Sequence, residues 1–174
     1  AIFLKVIEIE EKILGPENLK VATSLMNLAV NYSKQGRYAE VEQLLKRSLI
    51  INEKMFGPER LNIAKIFHNL ANLFAEQGNY AESEKLFFRT IAIKENILGP
   101  EHPNVAMSLR DFANFYFQQG VYNEAELLFQ RALAIQEKEL GPEHPDVASS
   151  LYSLGNLYMA QAAYNKAETH LLRA

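Results

Sequence analysis

The chain has 174 residues, of which 48% are hydrophobic and 22% charged, with a formal net charge of −3. A chain of this length can bury a sizeable core without a disulfide or a structural metal. It contains no cysteine, which excludes thiolate nucleophiles, zinc ribbons and redox pairs. Its mild acidity argues against nucleic-acid binding, and no apolar run reaches the length of about 18 residues that spans a bilayer.

A 42-residue repeat organises the sequence from one end to the other. The tripeptide Gly-Pro-Glu begins at Gly15, Gly57, Gly99 and Gly141, so successive copies are 42 residues apart. The second and third repeats share 20 of their 42 residues. We therefore predict a single array without linkers. Its parts are the end of a preceding repeat at 1–18, three full repeats at 19–60, 61–102 and 103–144, and a partial fourth at 145–174.

Each repeat is predicted to contain two helices, helix A followed by helix B. In the third repeat, apolar residues recur at steps of three and four, which predicts helix A over about residues 103–118. Pro103 suits the first helical position. Helix B is predicted over about residues 123–140, where Gly141 ends it. The same pattern in all repeats gives about nine helices.

Small and large residues occupy fixed columns of the repeat. Small residues facing large ones let antiparallel helices interlock, and no helix pair can bury its face alone, which predicts stacked repeats. The small columns are Ala29, Ala71, Ala113 and Gly155; Val41, Ser83, Ala125 and Ala167; and Ser48, Thr90, Ala132 and Ala174.

This pattern resembles the tetratricopeptide repeat (TPR), a helix–turn–helix unit. The partial fourth repeat matches the family signature best, through Leu151, Leu154, Gly155, Tyr158, Ala167, Leu171 and Ala174. The 42-residue length and the connections at 98–106 and 140–148 resemble those of kinesin light chains. The resemblance implies an all-α fold, a right-handed α-solenoid of antiparallel helix pairs known as the TPR superhelix.

Seven residues depart from the family pattern in three ways. The His-Pro pair is replaced at the first two connections, which removes the proline from two helix starts. A larger or polar residue occupies a small column of helix B, which predicts looser packing in the first two repeats. The turn glycine is missing from the fourth repeat, at a cost of roughly 1 kcal/mol if the backbone there is left-handed. Asn18 and Leu19, then Arg60 and Leu61, replace the His-Pro pair. Val41 and Ser83 occupy the small column, and Ala162 replaces the turn glycine.

Catalytic motifs are missing from the sequence, which has no phosphate-binding loop, nucleophile elbow or cluster with metal-ligand spacing. His102 and His144 each follow a glutamate, but they recur in an identical connection, so we interpret them as residues at helix starts. His170 is predicted to lie at the surface. We predict a non-catalytic, cytoplasmic protein without a cofactor or a metal.

The face of helix A that packing leaves free is the candidate binding site. The resemblance places this face along a concave groove, where kinesin-light-chain-like and cochaperone repeats bind peptides. The candidate groove residues are Asn27, Lys65, His68, Asn69, Asn72, Met107, Arg110, Asn114, Phe117, Tyr152 and Asn156.

Polar groove residues are predicted to bind a peptide backbone and a carboxylate. The amides of Asn72, Asn114 and Asn156 can both donate to and accept from a peptide. Lys65 and Arg110 could hold an acidic side chain or a C-terminal carboxylate. Alternatively, the asparagines bond between adjacent helices and the two cations are simply solvated.

Apolar groove residues are predicted to form a neighbouring pocket. Met107, Phe117 and Tyr152 would supply it, although Met107 and Phe117 could instead pack in the core. The Lys–Asn clamp for chaperone tails is incomplete, because Ser153 stands where the next repeat would need asparagine. Charged residues on helix B are interpreted as a solvated convex face, for example Glu82, Glu84 and Lys85.

The sequence therefore predicts a protein–protein interaction module that binds a peptide or partner segment, and neither nucleic acid nor a membrane. Two alternatives stay open: a structural spacer or self-assembly segment of a longer repeat protein, and a regulatory array attached to a catalytic domain outside this sequence. Because the chain opens within a helix B and closes partway along another, we expect a window of a longer array whose cut ends self-associate.

Overall fold

The computed structural model describes residues 2–57 and 60–174, and Phe56 by its backbone alone. Ala1 of the opening helix, and Pro58 and Glu59 of the second Gly-Pro-Glu connection, lie outside the described residues. The described residues form nine helices: α1 Ile2–Leu14, α2 Leu19–Ser33, α3 Tyr38–Phe56, α4 Leu61–Glu76, α5 Tyr80–Leu98, α6 Pro103–Gln118, α7 Tyr122–Leu140, α8 Pro145–Ala160 and α9 Tyr164–Arg173.

The predicted alternation of helices A and B is confirmed. Helices α2, α4, α6 and α8 are the A helices, and the odd-numbered helices are the B helices. In the third repeat, α6 has the predicted bounds, and α7 begins at Tyr122, one residue before the predicted start. Proline and glycine thus placed the helix ends correctly.

The chain divides into two compact units, Ala1–Ile93 and Lys94–Ala174, called unit 1 and unit 2 below. In unit 1, apolar clusters lie between successive helices, one around Leu25 and Leu28 and another around Ile66 and Leu70. In unit 2, one cluster joins α6, α7, α8 and α9. These cores bury the inner stripe of each A helix and leave its opposite face available.

Three of the four described A helices begin with a side-chain cap. The side chains of Asn18, His102 and His144 each accept a hydrogen bond from the backbone N–H two residues further along, at 2.9, 3.0 and 3.1 Å. The side chain of Arg60 makes no such bond. The interpretation of both histidines as residues at helix starts is confirmed, and Asn18 replaces part of what the missing His-Pro pair supplies.

Two turns depend on unusual backbone conformations. Gly141 ends α7 with φ 86° and ψ 157°, a region that only glycine adopts readily. Ala162, in the turn between α8 and α9, has φ 57°. The left-handed conformation anticipated for this residue is therefore present, and its β-carbon strains the turn.

We expect Ala162→Gly to stabilise the protein by roughly 0.5 kcal/mol, because relief of the left-handed strain exceeds the added entropy of the unfolded chain. Urea denaturation followed by circular dichroism measures the difference. The matched control is Ala134→Gly at an exposed helical position of α7, which should cost about 1 kcal/mol. A loss of stability in Ala162→Gly would contradict the strain argument.

The looser packing predicted at Val41 and Ser83 is not seen. Val41 is 3% exposed, and Ser83 is fully buried. The hydroxyl of Ser83 donates to the carbonyl of Ala71 on the facing A helix at 2.7 Å. Ser48 and Thr90 donate to A-helix carbonyls in the same way, at 2.9 and 3.3 Å. A small polar residue in a small column therefore bonds to the neighbouring backbone and keeps the helices close.

Ion pairs join B helices of successive repeats. The interpretation of helix B charges as solvated omitted these pairs, although oppositely charged residues spaced 36 or 37 apart could have indicated them. Glu82 and Lys85 pair within α5 and are exposed, as predicted. Arginine pairs join two B helices: Arg47–Glu11 at 2.5 Å, Arg131–Glu95 at 2.6 Å and Arg173–Glu137. Lysine pairs join a B helix to the connection that follows the preceding B helix: Lys138–Glu101 at 3.3 Å and Lys54–Glu17.

Candidate binding cleft

An open cleft of about 650 Å³ lies between α6 and α8 in unit 2. Three of the predicted groove residues, on two successive A helices, meet at this cleft: Arg110, Asn114 and Tyr152. The complete lining is Arg110, Asp111, Asn114, Ala148, Ser149, Tyr152, Ser153 and Ala174.

Helical periodicity explains why these side chains reach the cleft. Arg110 and Asn114 are one turn apart on α6, and Ser149 and Ser153 are one turn apart on α8, so each pair shares a face. The opposite faces carry buried apolar residues such as Leu109 on α6. Packing of these faces fixes the helices, and the polar stripes are left along the cleft.

Arg110 forms an incomplete ion pair with Asp146. Its Nη1 lies 3.9 Å from Oδ1 of Asp146, and the two side chains are 19% and 37% exposed. Arg110 Nη1 is buried and makes no hydrogen bond. A separation of 3.9 Å is too long for a hydrogen bond, so the attraction between these groups is electrostatic alone.

A second cation and a second carboxylate lie beside the first pair. Lys94 on α5 donates from Nζ to Oγ of Ser108 at 2.6 Å and to the carbonyl of Asn104 at 3.2 Å. Burial lowers the pKa of Lys94, and the negative charge of Asp111 acts in the opposite direction. Of these two groups, Asp111 lines the cleft, so it places a carboxylate in the same lining as Arg110.

Apolar groups border this polar lining. Tyr152 is 58% and Met107 42% exposed, so both rank among the accessible large apolar side chains. Phe117 differs, since it is half-buried, packs against the core of unit 2 and has its ring centroid 5.8 Å from that of Tyr122. Asn156 is half-buried on α8 and lies outside the lining of the cleft.

The remaining predicted groove residues belong to unit 1. Nε2 of His68 lies 3.2 Å from Nδ2 of Asn72, and the His68 ring meets Phe87 edge-on at 5.8 Å between centroids. The amide of Asn72 therefore contacts its own helix rather than a neighbouring one. Lys65 and Asn72 are exposed, as is Asn27 on α2. The five residues are Asn27, Lys65, His68, Asn69 and Asn72.

Sequence reasoning missed Asp146 and Lys94. The signal for Asp146 was available: its column otherwise holds Lys20, Asn62 and Asn104, so it is the one acidic residue there. Lys94 gave a similar signal, since its column otherwise holds Glu10, Asn52 and Gln136, but its contacts with α6 depend on how two helices cross.

His170 lies at the surface of α9, as predicted, but its side chain is partly covered. His170 is half-buried, with its ring centroid 5.1 Å from that of Tyr158. The Tyr158 hydroxyl donates to Oε1 of Glu126 at 2.8 Å, and burial, followed by this bond, raises the pKa of Tyr158.

Two other kinds of site were sought in residues 2–57 and 60–174. No helix there combines the length and the apolar character needed to cross a membrane. Within the same residues, no group of three or more histidine, aspartate or glutamate side chains could hold a metal ion. The cleft between α6 and α8 is therefore the candidate that we develop.

Comparisons with known proteins agree on the repeat class. A profile described as tetratricopeptide repeat matches residues 62–138 and 109–174, and a second profile of the same description matches residues 21–60. None of the curated proteins matches the sequence.

Solved structures share the fold. A Podosopora anserina protein, described as a kinesin light chain with nearly identical TPR-like repeats, is 29% identical; 98% of this chain and 81% of that chain are covered. The TM-score is 0.79, and it is 0.81 for a variant of that protein. BtubC (BKLC) from P. vanneervenii has a TM-score of 0.81 at 19% identity, with 98% and 67% covered. MamA has a TM-score of 0.66 at 15% identity, with 98% and 85% covered. The predicted class, an all-α solenoid similar to kinesin light chain repeats, is confirmed.

Proposed function

Because the chain belongs to the tetratricopeptide repeat family, we propose that it is an interaction module that binds an extended peptide segment in the cleft between α6 and α8. Repeats of this family indicate a scaffold for protein–protein interaction, and kinesin-light-chain-like neighbours are typically non-catalytic. The proposal treats residues 1–174 as one array with the repeat bounds given above. The convergence of Arg110, Asn114 and Tyr152 on one cleft supports it most directly.

The lining residues suit a peptide in three complementary ways. The amide of Asn114 can donate to a peptide carbonyl and accept from a peptide N–H, whatever the side chains of the ligand are. Arg110 can bind a carboxylate, from either an acidic side chain or a C-terminus. The exposed ring of Tyr152 offers an apolar surface. A volume of about 650 Å³ is large enough for a few residues of an extended chain.

The remaining predicted groove residues would extend the contact. Met107 lies exposed on α6, one turn before Arg110, and Asn156 lies one turn beyond Tyr152 on α8. Phe117 contributes mainly by supporting α6 from the core. A ligand centred on the cleft would therefore contact α6 and α8 along much of their free faces.

The test uses a peptide selected on the intact chain. A random dodecapeptide library displayed on phage is selected against the immobilised protein, and the best peptide is labelled with fluorescein. Its affinity is then measured by fluorescence anisotropy. Arg110→Glu combined with Asn114→Ala should weaken binding by more than about tenfold, because it reverses one charge and removes an amide that each contribute roughly 1 kcal/mol or more.

The matched control carries the same kinds of change elsewhere. Lys85→Glu with Asn123→Ala alters exposed residues of two B helices and should leave the affinity unchanged. Both double variants should keep the helical circular dichroism of the parent. Full binding by a folded Arg110→Glu, Asn114→Ala variant would rule out the cleft. Failure to select any peptide, together with a mass that rises with concentration in light scattering, would favour the self-assembly alternative.

A further inference from the structure

We propose that Asp146 is an internal competitor for the acidic group of a ligand: it occupies Arg110 in the free cleft and lowers the affinity for acidic peptides. This inference rests on the proposed function of the cleft and adds to it a residue that sets specificity. It concerns the pair Arg110–Asp146, which lies at the end of the cleft where α8 begins.

The geometry of the pair leaves the guanidinium available. Arg131 and Glu95 show what a closed pair looks like in unit 2, with a hydrogen bond of 2.6 Å. Arg110 and Asp146 stay 3.9 Å apart, and the buried Nη1 of Arg110 has no hydrogen bond. A buried donor without a partner is unfavourable. A carboxylate that approached Arg110 to hydrogen-bond distance would therefore bind it better than Asp146 does.

Packing of the repeats does not require this pair. The column of Arg110 also contains Met26, His68 and Tyr152, and the column of Asp146 also contains Lys20, Asn62 and Asn104. The opposite charges thus coincide only once in the register, at the cleft. Helices α2 and α4 of unit 1 contact each other without such a pair, so its presence here concerns the cleft.

Asp146 keeps a favourable environment when Arg110 leaves it. Pro145 is the first residue of α8 and Asp146 the second, where the positive end of the helix dipole stabilises a carboxylate. The side chain is 37% exposed and can be hydrated. The exchange of Asp146 for a ligand carboxylate at Arg110 therefore costs little free energy.

The direction in which Asp146 changes the affinity for a ligand carboxylate follows from charge. A ligand carboxylate at Arg110 approaches Asp146, and Asp111 lines the same cleft, so both repel it. Asp146→Asn removes the competitor and one source of repulsion together. We expect affinity for a carboxylate at Arg110 to rise about two- to fivefold, the range that partly exposed pairs contribute.

The experiment follows Arg110 directly, with glutarate as a dicarboxylate probe. The intact chain is labelled with ¹⁵N-arginine, the Nε–H resonance of Arg110 is assigned by its loss in Arg110→Lys, and glutarate is titrated at constant ionic strength. In Asp146→Asn the resonance should reach half-saturation at about a two- to fivefold lower concentration than in the parent. The matched control is Glu143→Gln, an exposed residue of the same connection, which changes the net charge equally and should leave the titration unchanged.

Three results would overturn the inference. The first is a glutarate concentration at half-saturation in Asp146→Asn that equals or exceeds that of the parent. The second is an effect of Glu143→Gln on this concentration as large as that of Asp146→Asn. The third is no response of the Arg110 resonance to glutarate in any variant. Weaker binding in a folded Asp146→Asn would show that Asp146 instead positions Arg110. The selected peptide separates the two proposals. If it requires Arg110 and Asn114 but binds Asp146→Asn no better than the parent, only the proposal that Asp146 competes with the ligand is refuted. If it binds without them, the proposed function fails.

Discussion

Phe129→Ala is expected to lower the free energy of unfolding by about 3–5 kcal/mol, the largest effect among the substitutions considered. Phe129 is fully buried on α7, in the cluster that also contains Leu151 and Leu154 of α8. Removal of its ring leaves a cavity where several helices meet, and the surrounding side chains can fill it only in part. Since domains are stable by about 5–15 kcal/mol, this loss is a large fraction of the total.

Urea denaturation, followed by the helical circular dichroism signal at about 222 nm, measures this change in the free energy of unfolding. Leu127→Ala is the matched control, because Leu127 lies two residues earlier on the same helix and is 68% exposed. The control should change stability by less than about 0.5 kcal/mol. Equal effects of the two variants would show that α7 does not carry the core of unit 2 as described.

Ala132→Leu should destabilise the protein by about 1–3 kcal/mol through overpacking. Ala132 is fully buried and shares its column with Ser48 and Thr90. In those two repeats the hydroxyl at this position lies 2.9 and 3.3 Å from an A-helix carbonyl oxygen. The column therefore runs directly against the facing backbone, and a leucine there must push helices A and B apart.

The control for overpacking is Ala134→Leu, on the exposed face of α7. It adds the same atoms without a neighbour to displace, so its effect on the urea midpoint should be within about 0.5 kcal/mol of zero. If Ala132→Leu were equally neutral, the helices would be able to separate freely, and the small columns would not determine their spacing.

Local features of the sequence predicted most of the fold. Gly141 and Pro103 determine helix ends through their own backbone preferences. His102 caps α6 by accepting a hydrogen bond from the backbone N–H of Asn104, two residues further along. Such interactions span only a few residues of the chain. The helices and the all-α class could therefore be predicted from the chain itself.

The cleft was predictable only in part, because its chemistry depends on distances between helices. Periodicity placed Arg110 and Asn114 on one free face of α6. It could not show that Asp146 stops 3.9 Å short of Arg110, or that Lys94 reaches Ser108, since both depend on side-chain conformations across neighbouring helices. The contact between Asn72 and His68 is different, because residues four apart share a helix face and the sequence alone could have indicated it.

The ion pairs between B helices affect how such a protein can grow during evolution. The arginine pairs join Arg47 to Glu11, Arg131 to Glu95 and Arg173 to Glu137, each glutamate lying 36 residues earlier, and the same two columns also hold Glu53 and Arg89. Every repeat thus carries one acceptor for the repeat that follows and one donor for the repeat that precedes. A duplicated repeat inserted in the array carries both the glutamate and the arginine that such pairs need. Gene duplication can therefore lengthen the protein without a compensating mutation elsewhere.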